Sequence, residues 1–215
     1  MRSRRTFLAG SDAAIALLPF AARADGHAPD KFTTSMGNLI VHPIAHASLV
    51  PELADGTIYV DPVCDPSAYA GLPAAAMILI THEHGDHFNA ATLAALDTRA
   101  SIFIANTAVS DMLTEDQQAR ATSLANRETM GLGDLTIDAI AAYNITEDRL
   151  SFHPEGCDNG YVLTCRDFRV YISDDTEDTP EMRGLENIDL AFVCMNLPFT
   201  MDAASAVVEF APTYV

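Results

Sequence analysis

Met77-Ile78-Leu79-Ile80-Thr81-His82-Glu83-His84-Gly85-Asp86-His87 is the stretch that decides how this chain reads. Its first four residues close an apolar run that begins at Ala74, the pattern of a buried strand. Three histidines and an aspartate then fall within positions 82–87. On an extended or turning segment His82 and His84, two apart, can converge on one cation, and Asp86 and His87 can face a neighbouring one. Imidazole and carboxylate at this density suit zinc and similar divalent ions. Without metal the same cluster would crowd titratable groups together at a cost in repulsion and desolvation. The plain alternative is a solvated histidine loop, which the buried strand leading into it disfavours.

Working outward, short apolar runs precede this strand at Leu39–Val41, Ala47–Val50 and Thr57–Val60, separated by turn formers such as Asp55-Gly56. After it, Asn89 to Leu96 reads as a capped helix, Ser101 to Ala105 as a strand, and Ser110 to Arg120 as a polar helix. In the second half, Leu135 to Ala141 alternates as a strand. Gly160–Cys165 and Phe168–Ile172 form a hairpin through Arg166-Asp167. Thr179–Leu185 is a short helix, Asp189–Val193 a buried strand, Ala203–Phe210 a helix, and Pro212–Val215 the start of a strand. Asp25 to Thr34 is a polar lead. No linker divides the chain, so the expected class is α+β, one αββα sandwich of two sheets with helices outside.

The 215 residues carry 12 basic and 30 acidic side chains, net −18, with 49% hydrophobic residues. Such a chain can bury a core without staples. The acidic excess argues against nucleic-acid binding and against adsorption to anionic membranes. Residues 1–24, MRSRRTFLAGSDAAIALLPFAARA, hold a basic start, an apolar stretch and the small-x-small triplet Ala22-Arg23-Ala24. Ser3-Arg4-Arg5-Thr6-Phe7-Leu8 resembles a twin-arginine export signal. Cleavage before Asp25 would leave a soluble periplasmic domain over residues 25–215, with no stable membrane insertion. Cys64, Cys157, Cys165 and Cys194 show no metal-binding spacing, and Cys165 and Cys194 read as small buried hydrophobes.

The string H-E-H-G-D-H resembles the signature of the metallo-β-lactamase superfamily. The resemblance runs from about Gly37 to the end. His46-Ala47-Ser48, Tyr59-Val60-Asp61-Pro62, Pro154-Glu155-Gly156, Tyr171 to Glu177 and Pro180-Glu181-Met182 are similar to the branch holding ascorbate-6-phosphate lactonase and N-acyl-phosphatidylethanolamine phospholipase D. That resemblance implies two metal ions, zinc in a full-length chain, with manganese or iron(II) as alternatives. His82 and His84 would hold the first, Asp86 and His87 the second. The bridging role falls on Asp175, from the family's G-D-T string. Here Asp174 stands where that string has glycine, so Asp174 is the alternative. The later-loop ligand falls on His153, or its place is taken by Asn144. The family's last histidine lies in a string that would follow Val215, so the C-terminal strand and helix are expected beyond the chain as given. His46 reads as structural rather than ligating, His42 and His27 have no role, and Phe199-Thr200-Met201 is a candidate pocket wall.

The implied activity is metal-dependent hydrolysis of an ester, lactone, amide or phosphodiester bond in a small substrate. A metal-bound hydroxide would be the nucleophile, with Asp86 as the catalytic residue that orients it. Gly-x-Ser-x-Gly is absent and Cys157 lacks an activating base. The competing reading is a non-catalytic periplasmic metal- or ligand-binding protein with a degenerate second site.

Overall fold

The computed structural model describes residues 28–35, 37–195 and 203–215. The export signal, His27 and the candidate wall Phe199–Met201 lie outside the described residues. The first sheet runs in chain order: β1 Asp30–Thr34, β2 Gly37–Ala45, β3 Ser48–Leu53, β4 Gly56–Val60, β5 Ala75–Leu79, β6 Ile102–Ala105 and β7 Ala121–Ser123. Neighbours are antiparallel as far as β4 and parallel from β4 to β7. The second sheet holds β8 Thr129–Leu132, β9 Leu135–Ala142, β10 Asp158–Cys165, β11 Phe168–Ile172 and β12 Leu190–Phe192, in the order β12-β11-β10-β9-β8. Only β11 and β12 run parallel in it.

The two sheets meet face to face, and alternation along each strand explains how. Ile58, Val60, Met77, Leu79 and Ile104 of the first sheet pack against Ile137, Tyr161, Leu163, Val170 and Ile172 of the second. The residues between them point the other way. Tyr59, Ile78, Ile80 and Phe103 meet Tyr69, Phe88, Leu93 and Val109, from the turn Pro66–Tyr69, the loop after β5 and the helices α1 Ala90–Ala95 and α2 Thr107–Met112. On the far side Val162, Tyr171 and Ala191 cover Met182 of α4 Pro180–Arg183 and Phe210 of α5 Ala203–Phe210. β5 is apolar at nearly every position because both its faces are covered. Each fully buried Leu, Ile or Val contributes about 1.5–3 kcal/mol. The four layers are helix, sheet, sheet, helix, as the α+β reading expects.

Local chemistry sets the boundaries. Asn89 caps α1 by accepting from the backbone of Ala91 and Thr92, and Thr179 caps α4 through Met182. Arg166 makes the β10–β11 turn with φ +56°. The single helix expected over Ser110–Arg120 is instead two. α2 ends at Met112 and α3 spans Glu115–Gln118, because Thr114 and Gln117 form a capping box that starts a new helix. The polar lead contains β1, and Pro212–Val215 makes one bridge, Tyr214 to Leu190, rather than a strand. Among the described residues no helix is long and apolar enough to cross a membrane.

Four strands, two from each sheet, bring acids and histidines to one edge. Asp61 follows β4, the histidine loop follows β5, Asp158 opens β10 and Asp174 follows β11. Gly160 lets β10 and the end of β11 approach there, since a Cβ on it would lie 2.8 Å from the Ser173 carbonyl oxygen. A cavity of about 450 Å³ lined by Leu53, Asp55, Ile58, Met77, Leu135 and Cys165 opens at the opposite edge.

Candidate metal centre

The loop after β5 folds back on itself because the backbone N–H groups of His87 and Phe88 both donate to the His84 carbonyl, at 2.9 and 2.8 Å. This turn returns His87 beneath His82, with ring centroids 4.1 Å apart. Asp61 anchors the loop's start. Its carboxylate accepts from the Thr81 N–H at 2.9 Å and the Thr81 hydroxyl at 2.8 Å, and it faces His87 Nδ1 at 2.9 Å.

Three histidines repeat one arrangement. His82 Nδ1 lies 2.8 Å from Asp174, His87 Nδ1 2.9 Å from Asp61, and His153 Nδ1 2.9 Å from Asp158. All six side chains are buried. A carboxylate beside each Nδ1 favours a proton there, which leaves Nε2 of each ring as the atom free to meet a cation. The Nε2 atoms of His82 and His87 are buried without a hydrogen-bond partner. Unsatisfied buried polar atoms of this kind are costly unless something else meets them. A divalent cation fits that donor set.

Donor atoms of His82, His84 and His153 all lie within 4.8 Å of one another, as do those of His82, His87 and Asp175 and those of His46, Asp86 and His87. The structure therefore brings together all six residues singled out as metal ligands. Asp175 Oδ2 stands 3.7 Å from Nε2 of both His87 and His153. Asp174 has φ +63°, the left-handed backbone that favours glycine, and so occupies the glycine position of the G-D-T pattern. Its carboxylate lies 2.8 Å from His82 Nδ1 and 3.7 Å from His87 Nδ1.

Electrostatics favour positive charge here. Burial by itself would lower the His82 pKa, but Asp174, with Asp158 and Asp61 beyond, raises it to about 10. His87 is raised against burial by Asp61 and Asp174. His84 is lowered, first by burial and then by His82 and His153. For Asp86 burial opposes ionisation, yet its own backbone N–H and the neighbouring imidazoles of His87 and His46 hold the carboxyl below its usual value.

The His153 loop is braced from outside. Asn144 is buried and its backbone N–H donates to the His153 carbonyl at 2.9 Å. Glu177 accepts from the backbone of Ile145 and Thr146, the Thr146 hydroxyl and Arg149 at 2.6–3.1 Å. Asp61, Asp158 and Glu177 received no role from the sequence. The first two had a faint signal, an acid where an apolar strand ends or begins. His42, by contrast, pairs with Glu52 across β2 and β3 at 2.6 Å. None of the four cysteines is in a disulfide. Cys165 and Cys194 are half-buried rather than core residues. Cys157 is exposed, and burial, Asp158 and Glu83 push its thiol up, so it stays protonated.

Two facing sheets flanked by helices, with a histidine- and aspartate-lined edge, define a protein of metallo-β-lactamase fold. A sequence profile for the β-lactamase superfamily domain matches residues 56–207, and the chain belongs to that family. It is 28% identical over 133 residues to a UPF0173 metal-dependent hydrolase of Alkaliphilus metalliredigens, covering 60% of this chain and 59% of that protein. A UPF0173 relative in Dinoroseobacter shibae is 24% identical over 178 residues, covering 76% of each. The chain thus spans about 59–60% of the length of the first curated relatives it matches. A solved structure from Parabacteroides distasonis, provisionally named a metal-dependent hydrolase, superposes with a TM-score of 0.75 at 39% identity, covering 86% of this chain and 84% of that one. Igni18, a metallo hydrolase of Ignicoccus hospitalis, shares the fold with a TM-score of 0.63 at 19% identity, covering 80% and 76%.

Proposed function

We propose that this chain is a metal-dependent hydrolase acting on an ester, lactone, amide or phosphodiester bond of a small substrate. In this reading His82, His84 and His153 hold one ion, Asp86 and His87 hold a second, and Asp175 lies between them. The observation that carries it is the pair of buried, partnerless Nε2 atoms on His82 and His87, whose Nδ1 atoms already face carboxylates. Nitrogen and carboxylate donors in this mixture favour zinc, with manganese or iron(II) as alternatives. A cation bound there supplies Lewis acidity, which polarises a scissile carbonyl or phosphoryl oxygen and lowers the pKa of a water to about 7.

The chain's own residues do the positioning. Asp61, Asp158 and Asp174 fix ring orientation and make the Nε2 atoms better donors. Asp86, ionised and partly open to solvent, accepts a hydrogen bond from the attacking water and so orients it. The protonated Cys157 leaves water as the nucleophile. The names of the relatives support the reaction class, and the lactonase- and phospholipase-like motifs support the branch.

The test is to strip the signal-free protein with chelator, reload it with zinc, and assay both forms on ester, lactone, amide and phosphodiester panels. Cleavage of one class that returns only with metal is expected. A protein carrying two ions yet inert on every panel would instead be a binding module. Export is a further part of the proposal, resting on the twin-arginine-like residues 3–8 and the Ala22–Ala24 triplet. Fractionation should find the protein in the periplasm with Asp25 as its first residue; a cytoplasmic chain retaining Met1 would refute export.

A further inference from the structure

His46 reads from the sequence as structural rather than ligating, and the tertiary structure places it beside Asp86 and His87. It sits at the tip of the hairpin joining β2 to β3, closed by the Ala45–Ser48 pair. The start of β3 runs beside the end of β4, Leu49 opposite Val60, which carries the tip to the edge where Asp61 lies. Ser48 ties the tip down by donating from its hydroxyl to the Asp61 carbonyl. His46 adopts φ +33°, a left-handed backbone that glycine or asparagine would occupy more cheaply. Asp61 and Asp174, both part of the same edge, share that unusual backbone at +42° and +63°.

His46 is aimed toward the second group. His46 Nε2 lies 3.3 Å from Asp86 Oδ2, long for a charge-assisted hydrogen bond of about 2.7–2.9 Å. Its ring stands edge-on to His87, with centroids 5.9 Å apart. Donor atoms of His46, Asp86 and His87 fall within 4.8 Å of one another. Among them His87 Nε2 is buried and unpartnered, on a side chain 2% exposed whose other nitrogen is committed to Asp61. Two imidazoles and a carboxylate converging from a hairpin tip and a loop turn match a cation's preference for mixed nitrogen and oxygen donors.

We propose that His46 is a ligand of the second divalent ion, completing a His46–Asp86–His87 site, an assignment that rests on the two-ion reading above. His46 and Asp86, the ligands of this site nearest in sequence, are 40 residues apart, so the site would also clip the first sheet's antiparallel and parallel halves together.

The experiment is zinc titration of the full chain against a chromophoric chelator, with metal counted per chain and cobalt(II) spectra recorded. Wild type is compared with H46N, H46G and H84A. Asparagine and glycine both accept the left-handed backbone, so neither variant should fail for strain. The expected result is two ions in wild type, one in H46N and H46G, at least about tenfold weaker retention of the lost ion, and loss of the other ion in H84A. Two ions held at unchanged affinity in both His46 variants would overturn the assignment. So would a single wild-type ion that H46N leaves untouched and H84A removes. A wild-type chain that takes up no zinc would instead bring down the two-ion reading itself, and the His46 site with it.

Discussion

Replacing His82 and His84 together with alanine is expected to remove the first ion and to lower hydrolytic turnover by about 10³-fold or more. A bound cation contributes several kcal/mol of charge stabilisation in the transition state, and each 1.36 kcal/mol is tenfold in rate. The two positions differ in what else they do. His82 is buried and its Nδ1 faces Asp174, so H82A leaves a carboxylate inside the protein without its partner. That should cost about 1–3 kcal/mol of stability or more. His84 is exposed and touches His82 and His153 only through its ring. H84A alone should therefore lose the ion with little change in melting temperature, which separates ligation from folding. Metal analysis and thermal melts of both variants decide the matter. Full metal content in the double variant would refute the ligand assignment.

Asp61→Asn should weaken metal at the His87 position by about 10- to 100-fold without touching any proposed ligand. Asp61 is 1% exposed and receives the Thr81 N–H, the Thr81 hydroxyl and His87 Nδ1 on two oxygens. An amide has one acceptor oxygen and two N–H donors. The amide nitrogen must then take the place of one oxygen, facing either the Thr81 N–H or the Thr81 hydroxyl together with His87 Nδ1. If it meets His87, the imidazole flips its proton to Nε2 and loses the lone pair that a cation needs. Asparagine accepts the left-handed backbone at φ +42°, so strain is not the cause. The mispaired buried group should lower stability by about 1–3 kcal/mol. Competitive zinc titration and urea unfolding read the two effects separately, and unchanged zinc affinity would show that Asp61 holds the loop but not the ring.

Much of this fold is visible in the sequence because the signals are local. Met77 to Ile80 is apolar at every position, as a strand covered on both faces requires. Asn89 and Thr179 announce helix starts through their own side chains. Where the reading missed, the signal was weak or divided. β1, with sequence DKFTT, is a polar edge strand that buries little and shows no period. β7 and β8 are three and four residues long, too short for alternation to register. Thr114 acts as a cap inside what looks like one polar helix.

The donor types of the candidate site are legible in the sequence: the spacing of His82, His84, Asp86 and His87 places four side chains of metal-ligating chemistry on one loop, whatever surrounds it. Tertiary structure alone decided which acids stand behind them. Asp61 reaches His87, Asp174 reaches His82 and His46 reaches Asp86 only because β4, β5, β11 and the β2–β3 hairpin end at one edge. Hydrophobic periodicity reports which face of a strand is buried, and it is silent on which strand ends become neighbours.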